Sequence, residues 1–314
     1  MGGTRTKGGT LAVPEVVFGF GAHSGVGEVA DLLRMTEQAD RDGLDVFSLS
    51  DHPYIGGRLD AYASLGFLLG RTRHISGLAN VTNLPTRPAP MLARMVTSLS
   101  ALSGGRVVLG MGAGGIWDRI CDMGVPRLSP GDAVDAFEEA ITLVKLLSGG
   151  GPPVTFRGRH YRVDQIEPAP VEAPPVWTGS VGPRSLAATG RVADGWIPGH
   201  AADWLSDRYR TSRPVVDEAA AAVGRDPREI RTVFNLPGRI TDRPLPATRD
   251  RDGRWTGGSA AQWAEELTGA VLEHGAGGFM LFSADQGAPD PGFLGRWAGE
   301  IVPAVREAIA KETG

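Results

Sequence analysis

From its sixteenth residue to near its end, the chain alternates short apolar runs with amphipathic helical stretches, eight of each. The strand-like runs fall at 16–21, 45–51, 75–83, 106–114, 176–182, 195–199, 230–240 and 277–284. The helical stretches fall at 27–42, 61–71, 88–103, 132–148, 184–193, 202–223, 260–274 and 291–312. Runs such as VVFGF, VVLGMG and FMLF are too apolar for strands wetted on one face, and strands covered on both faces belong to parallel α/β sheets. Eight strand–helix pairs in 314 residues predict an α/β fold, a (β/α)8 TIM barrel, whose usual length is about 250 residues. The surplus sits in insertions after strand 4 (115–131), before strand 5 (149–175, with a hairpin at TFRGRHYRV) and after strand 7 (241–258). No composition break divides the interior, so one barrel domain is expected over 14–314, behind a flexible tail at 1–13. An open doubly wound sheet is the alternative architecture.

Composition narrows the function. The formal charge of −4 gives no basic footprint for nucleic acid. No apolar run reaches the roughly 20 residues that span a bilayer. Cys121 is the single cysteine, which excludes an internal disulfide, marks no nucleophile and suits a reducing, cytoplasmic setting. The opening Met-Gly-Gly-Thr-Arg-Thr fits a loose myristoylation pattern, although a Gly/Thr-rich tail explains it with fewer assumptions.

Barrel enzymes work where strands end and helices begin, so the polar residues at strand exits are the candidates. Ser50-Asp51-His52-Pro53 ends strand 2. It places an acid beside an imidazole whose ordinary pKa allows proton transfer either way. Gly179-Ser180-Val181-Gly182-Pro183-Arg184-Ser185 ends strand 5 and opens a helix. Proline in a first turn, exposed amides, the helix dipole and an arginine together suit an anion. Asn80-Val81 interrupts an apolar strand. Gly110-Met111-Gly112-Ala113-Gly114-Gly115 matches G-x-G-x-x-G, but the next clear helix begins only near Asp132, so no Rossmann unit forms. It reads instead as bare backbone against which a flat ligand can lie. His23, His52 and His200 all fall near strand exits, yet no His-x-His or His-Glu-x-x-His accompanies them, and no metal is expected.

The stretches DGLDVFSLSDHP, LSGGRVVLGMGAG, AFEEAITLVKLLSGG…VTFRGRHYRV and PPVWTGSVGPRSLAATGRVADGWIPG together resemble the bacterial luciferase-like superfamily, in particular its coenzyme F420-dependent oxidoreductases. The resemblance implies a deazaflavin in the barrel mouth and hydride exchange with a small organic substrate, with His52 moving the accompanying proton. It implies that Asp51 touches the ring system and that the Asn80–Val81 link is a non-proline cis peptide backing the ring. Gly112, Ala113 and Gly114 would skirt the cofactor, and Gly179, Ser180, Gly182, Pro183 and Arg184 would bind its phosphate-bearing tail. His23, Tyr54, Trp117 and His200 would line the substrate pocket. Rival readings are a reduced-FMN monooxygenase using oxygen and a non-catalytic flavin or deazaflavin carrier. Gly115 stands where sugar-phosphate dehydrogenases of this kind carry a glutamate, and Ile197-Pro198-Gly199-His200 lacks their lysine, which argues against glucose 6-phosphate. The apolar, weakly charged helices at 61–71 and 88–103 suit a homodimer face.

Overall fold

The computed structural model describes residues 16–284 and 291–313; the tail expected at 1–13 lies outside them. Eight parallel strands close into a barrel: β1 (Val17–Gly21), β2 (Val46–Leu49), β3 (Ser76–Ala79), β4 (Val107–Gly112), β5 (Val176–Thr178), β6 (Gly195–Trp196), β7 (Arg231–Thr241) and β8 (Ala276–Ser283). Each pairs with its neighbour in chain order, and β8 pairs with β1 in register Phe18 to Phe279. Helices follow the strands: α1 (Val29–Arg41), α2 (Ala61–Arg71), α3 (Ala89–Ser103), α4 (Trp117–Asp122), α5 (Pro130–Leu146), α6 (Pro183–Val192), α7 (Asp207–Ala222) and α8 (Ala260–His274). A final helical run from Pro291 to Thr313 passes through a π turn at Trp297–Ile301.

Side chains alternate across each strand, which builds the interior in layers. The lowest layer is apolar. Val17, Val46, Leu78, Val108, Trp177, Val233 and Met280 pack there with Ile197, which follows β6. Two residues further along the same strands the set becomes Gly19, Ser48, Asn80, Gly110, Gly179, Asn235 and Phe282. Except at Phe282, glycine and short polar residues replace bulkier apolar ones, so the barrel is filled below and opens above. Outside the sheet, a larger apolar cluster seats the helices, with Trp204, Phe234, Phe279, Phe18, Trp297 and Trp263 joined through ring contacts.

The strand-entry pole is tied by charge-assisted hydrogen bonds. Asp40 accepts from the amides of Arg73, His74 and Ile75 at 2.9, 2.7 and 2.8 Å. The buried Arg106 donates to the carbonyls of Leu69, Thr72 and Ile75. These contacts fix the turn between α2 and β3, far from the mouth.

The expected alternation holds, with local differences. The third strand, expected unbroken over 75–83, stops at Ala79 and resumes as the short strand Thr82–Asn83, which pairs with Met111 and Gly112. The Asn80–Val81 peptide between the two pieces is cis. The helix expected from 202 begins only at Asp207, because Ser206 caps it by accepting from the Tyr209 amide while Asp203 is held by Arg249. The insertion after β4 contains α4. The insertion before β5 forms the antiparallel hairpin Val154–Arg157 and Arg162–Ile166, anchored by Glu139, which accepts from the amides of Arg159, His160 and Tyr161. The insertion after β7 returns through Gly257–Ser259, parallel to the end of β7.

Candidate functional site

Two cavities, about 640 and 570 Å³, open at the strand-exit end of the barrel. The first lies over the exits of β1, β2, β3 and β8. Ser48, Ser50, Asn80, His23, His200 and Arg58 are among its walls. Its floor is polar: Asn80 donates through Nδ2 to Asn235 Oδ1 at 3.0 Å, tying β3 to β7 across the barrel. The second lies over β4 and β5, and its walls include Ala113, Gly114, Trp117, Ser129, Gly179 and Ser180.

Val81 is a saddle between residues of the two cavities, following Asn80 of the first and packing on Gly179 of the second. A Cβ on Gly112 would meet Val81 Cγ2 at 2.8 Å, and one on Gly179 would meet it at 3.1 Å. The three positions singled out on separate strands therefore touch, and Val81 fits its place only because two glycines face it. Gly114, at φ +97°, packs its backbone against Pro85, where a side chain would collide. Asp51–His52 and the 179–185 turn thus share one pole of the molecule.

The loop after β2 is pinned. Gly25 and Arg58 form an antiparallel bridge, and Leu59 donates to the Ser24 carbonyl at 2.8 Å. His52 and Tyr54 stand on this loop at the rim. His52 Nδ1 lies 2.8 Å from the Tyr54 hydroxyl. Burial lowers the His52 pKa below its ordinary 6.5; Arg58 adds to this and Asp51 opposes it. Burial also lowers the pKa of His200, whose ring meets Phe282 edge-on at 5.3 Å. Neither His52 nor Tyr54 lines the two cavities directly, whereas Ser50 and Ile55 on either side of them line the first.

Asp51 is buried behind the exit of β2. Its side chain is 1% exposed. Arg87 donates to both its oxygens, through Nε at 2.8 Å and Nη2 at 2.7 Å, and the Asn83 amide donates to Oδ2 at 3.0 Å. Three of the carboxylate's roughly four acceptor sites are thereby taken within the protein. Asp51 is a brace joining the exit of β2 to the strand piece beyond Val81.

At the second cavity, Gly182 is the N-cap of α6 and no side chain caps it, with Pro183 in the first turn. The first-turn amides and the dipole are therefore open to an anion. The N-terminus of α5 converges on the same cavity, but there Ser129 accepts from the Asp132 amide. Arg184 is 61% exposed and pairs with Asp135 at 2.6 Å, so any anion has to compete for it. Nearby, Asp132, Asp135 and His160 bring metal-capable atoms within 4.8 Å of one another. Arg159 and Arg184 already neutralise both carboxylates.

Asn235, Ser48, Arg58 and Arg87 escaped the sequence reading. Asn235 carried the signal that exposed Asn80, a carboxamide inside an apolar strand. Nothing in the local sequence distinguishes Arg58 or Arg87 from surface arginines.

An open-topped parallel barrel with a divided mouth defines a (β/α)8 enzyme scaffold. The chain belongs to the luciferase-like monooxygenase family, whose model matches residues 15–282. It is 28% identical to an F420-dependent glucose-6-phosphate dehydrogenase of Nakamurella multipartita, over 72% of this chain and 68% of the relative. It is also 28% identical to an F420-dependent hydroxymycolic acid dehydrogenase of Mycobacterium tuberculosis, over 83% of this chain and 74% of that one. Among solved structures, an F420-dependent secondary alcohol dehydrogenase superposes with a TM-score of 0.76 at 20% identity, covering 93% of this chain and all of that one. A long-chain alkane monooxygenase superposes with the same score at 12% identity, over 95% and 92% of the two chains. Among the described residues no helix is long and apolar enough to cross a membrane.

Proposed function

We propose that this chain is an F420-dependent oxidoreductase acting on a small organic substrate. The observation that carries the reading is the Val81 saddle: Gly112 and Gly179 make room for Val81 between two cavities at one pole, with an imidazole on the rim and an uncapped helix N-terminus at one end. The F420-dependent names of the relatives support the same cofactor. Gly179, Ser180 and Gly182 to Ser185 would hold the anionic tail, and Val81, Gly112, Ala113 and Gly114 would back the ring. Bound F420 supplies hydride chemistry. The chain contributes a floor of Ser48, Asn80 and Asn235 that orients polar substrate atoms. His52, kept neutral by burial, moves the proton.

A sugar phosphate is a poor fit. Gly115 offers no carboxylate, and Arg58 is the only arginine or lysine bordering the first cavity among the described residues. A neutral ketone, imine, enone or alcohol suits the walls better. We also propose a homodimer contact at α2 and α3, where Phe67 and Met91 are exposed and Phe67 borders an apolar cleft lined by Leu33, Ala63 and Leu68.

Fluorescence titration with F420 and with FMN tests the cofactor. Micromolar F420 affinity with much weaker FMN affinity is expected. FMN binding without F420 binding, together with oxygen uptake on adding reduced FMN, would refute the assignment in favour of a monooxygenase.

A further inference from the structure

We infer that Tyr54 is a positioning residue for His52, holding its ring as the Nε2–H tautomer and supplying the path by which that proton is replaced. The inference rests on the proposed role of His52 and extends it to a rim residue that the proposal leaves without a role.

The two groups are 2.8 Å apart, Tyr54 oxygen to His52 Nδ1, with ring centroids at 5.6 Å. Two sharings of the proton fit that distance, and the surroundings choose between them. Burial raises the Tyr54 pKa above its ordinary 10, and Asp51 adds to it, so the phenol keeps its proton. Asn83, on the strand piece beyond Val81, is buried and opposes that rise. A phenol O–H is a better donor than a neutral imidazole N–H, and an imidazole nitrogen a better acceptor than a phenol oxygen, so across the 2.8 Å contact the phenol proton is directed at His52. Nδ1 accepts, and the single proton of the neutral imidazole sits on Nε2. Among the described residues Nε2 has no hydrogen-bond partner, so this is the nitrogen free to meet a ligand.

This arrangement answers a chemical problem. A neutral imidazole that gives up its Nε2 proton alone would become imidazolate, which is far too basic to form. In the reductive direction, where bound F420 would supply the hydride, the Nε2–H bond breaks as the proton moves to the substrate atom beside the reduced carbon. The Tyr54 O–H bond breaks as its proton moves to Nδ1, leaving neutral imidazole and a phenolate. Water then reprotonates the phenolate. In the oxidative direction each transfer reverses. Charges facing the pair suit a passing phenolate. Arg58, on the same loop, and Arg119, from α4, both oppose the rise in the Tyr54 pKa. Arg119 also donates to the Tyr54 carbonyl at 3.4 Å. Asp51 is the one nearby carboxylate acting on both groups, and Arg87 neutralises it.

The test is two-bond 15N–1H correlation NMR on histidine-labelled protein at pH 8, with His52 assigned from the signals lost in His52→Asn. The wild type is expected to hold more than about nine-tenths of His52 as the Nε2–H tautomer. In Tyr54→Phe the population is expected to shift by at least threefold toward Nδ1–H, with F420 affinity changed less than about twofold. A wild-type His52 protonated on Nδ1, or a tautomer ratio unmoved in a folded Tyr54→Phe, overturns the inference. Should Tyr54→Phe fail to fold, the wild-type tautomer alone decides. F420 titration of the wild type separates the two claims, since absent binding with the Nε2–H tautomer in place defeats the cofactor assignment and leaves the Tyr54–His52 geometry standing.

Discussion

Removing the Asp51 carboxylate separates two roles that the sequence leaves entangled. In Asp51→Ala, Arg87 loses two charge-assisted bonds and the Asn83 amide loses its acceptor. Breaking a buried ion pair by deleting one partner costs about 3–5 kcal/mol, because the remaining charge is stranded. Arg87 is not wholly stranded, since it keeps Asp60 at 2.6 Å and lies over the Tyr62 ring at 4.7 Å. The low end, about 3 kcal/mol, is therefore expected. For a chain of this length unfolding entropy near 2 cal/mol/K per residue turns that loss into a fall in Tm of about 5 °C. Arg87→Met in the same background removes the stranded guanidinium, so the double variant should recover roughly 1 kcal/mol or more over Asp51→Ala. Thermal and urea unfolding of the three variants, each paired with an F420 titration, supply the cycle. If Asp51→Ala unfolds like the wild type but loses cofactor affinity more than tenfold, the carboxylate is a ligand contact and the brace argument is wrong.

Other expectations follow from single contacts. Gly182→Asp should strengthen α6 by only a few tenths of a kcal/mol, since glycine is itself a fair N-cap and φ −89° suits any residue; the same charge should weaken F420 binding at least tenfold, and a folded variant with unchanged affinity would remove the tail from this turn. Gly112→Ala should destabilise by about 1–2 kcal/mol through its 2.8 Å clash with Val81, and Val81→Ala in the same chain should relieve most of it; additive losses in urea unfolding would show that the two do not touch. Burial pushes the Asp40 carboxyl up, but its three backbone donors prevail and hold it below the ordinary 3.8. Its stabilisation is therefore complete above that value and is lost as pH falls through the lower folded pKa, so Asp40→Asn should flatten the acid limb of stability below about pH 4; an unchanged limb would count against the clamp. Phe67→Asp should convert a dimer to a monomer in light scattering at micromolar protein, and a wild-type monomer would dismiss the contact at α2 and α3.

Much of the fold was legible because period-two and helical patterns are local. Runs such as Val17–Gly21, apolar on both faces, announce a doubly covered parallel strand, and eight such runs alternating with helices admit few closures. The glycines of the β4 and β5 exits were equally plain. What they faced was not. Val81 reaches Gly112 and Gly179 only after strands about 30 and 100 residues away curl to the same pole. Asp51 and His52 are neighbours in sequence, yet the carboxylate is consumed by Arg87 and buried while the imidazole stays on the rim, bonded to Tyr54. Residue type and strand position are written along the chain. Which lone pair is taken, which proton has a partner and which charge is left to meet a ligand depend on groups brought together by barrel closure, and hydrogen bonds and Coulomb forces act across that space without regard to the distance along the backbone.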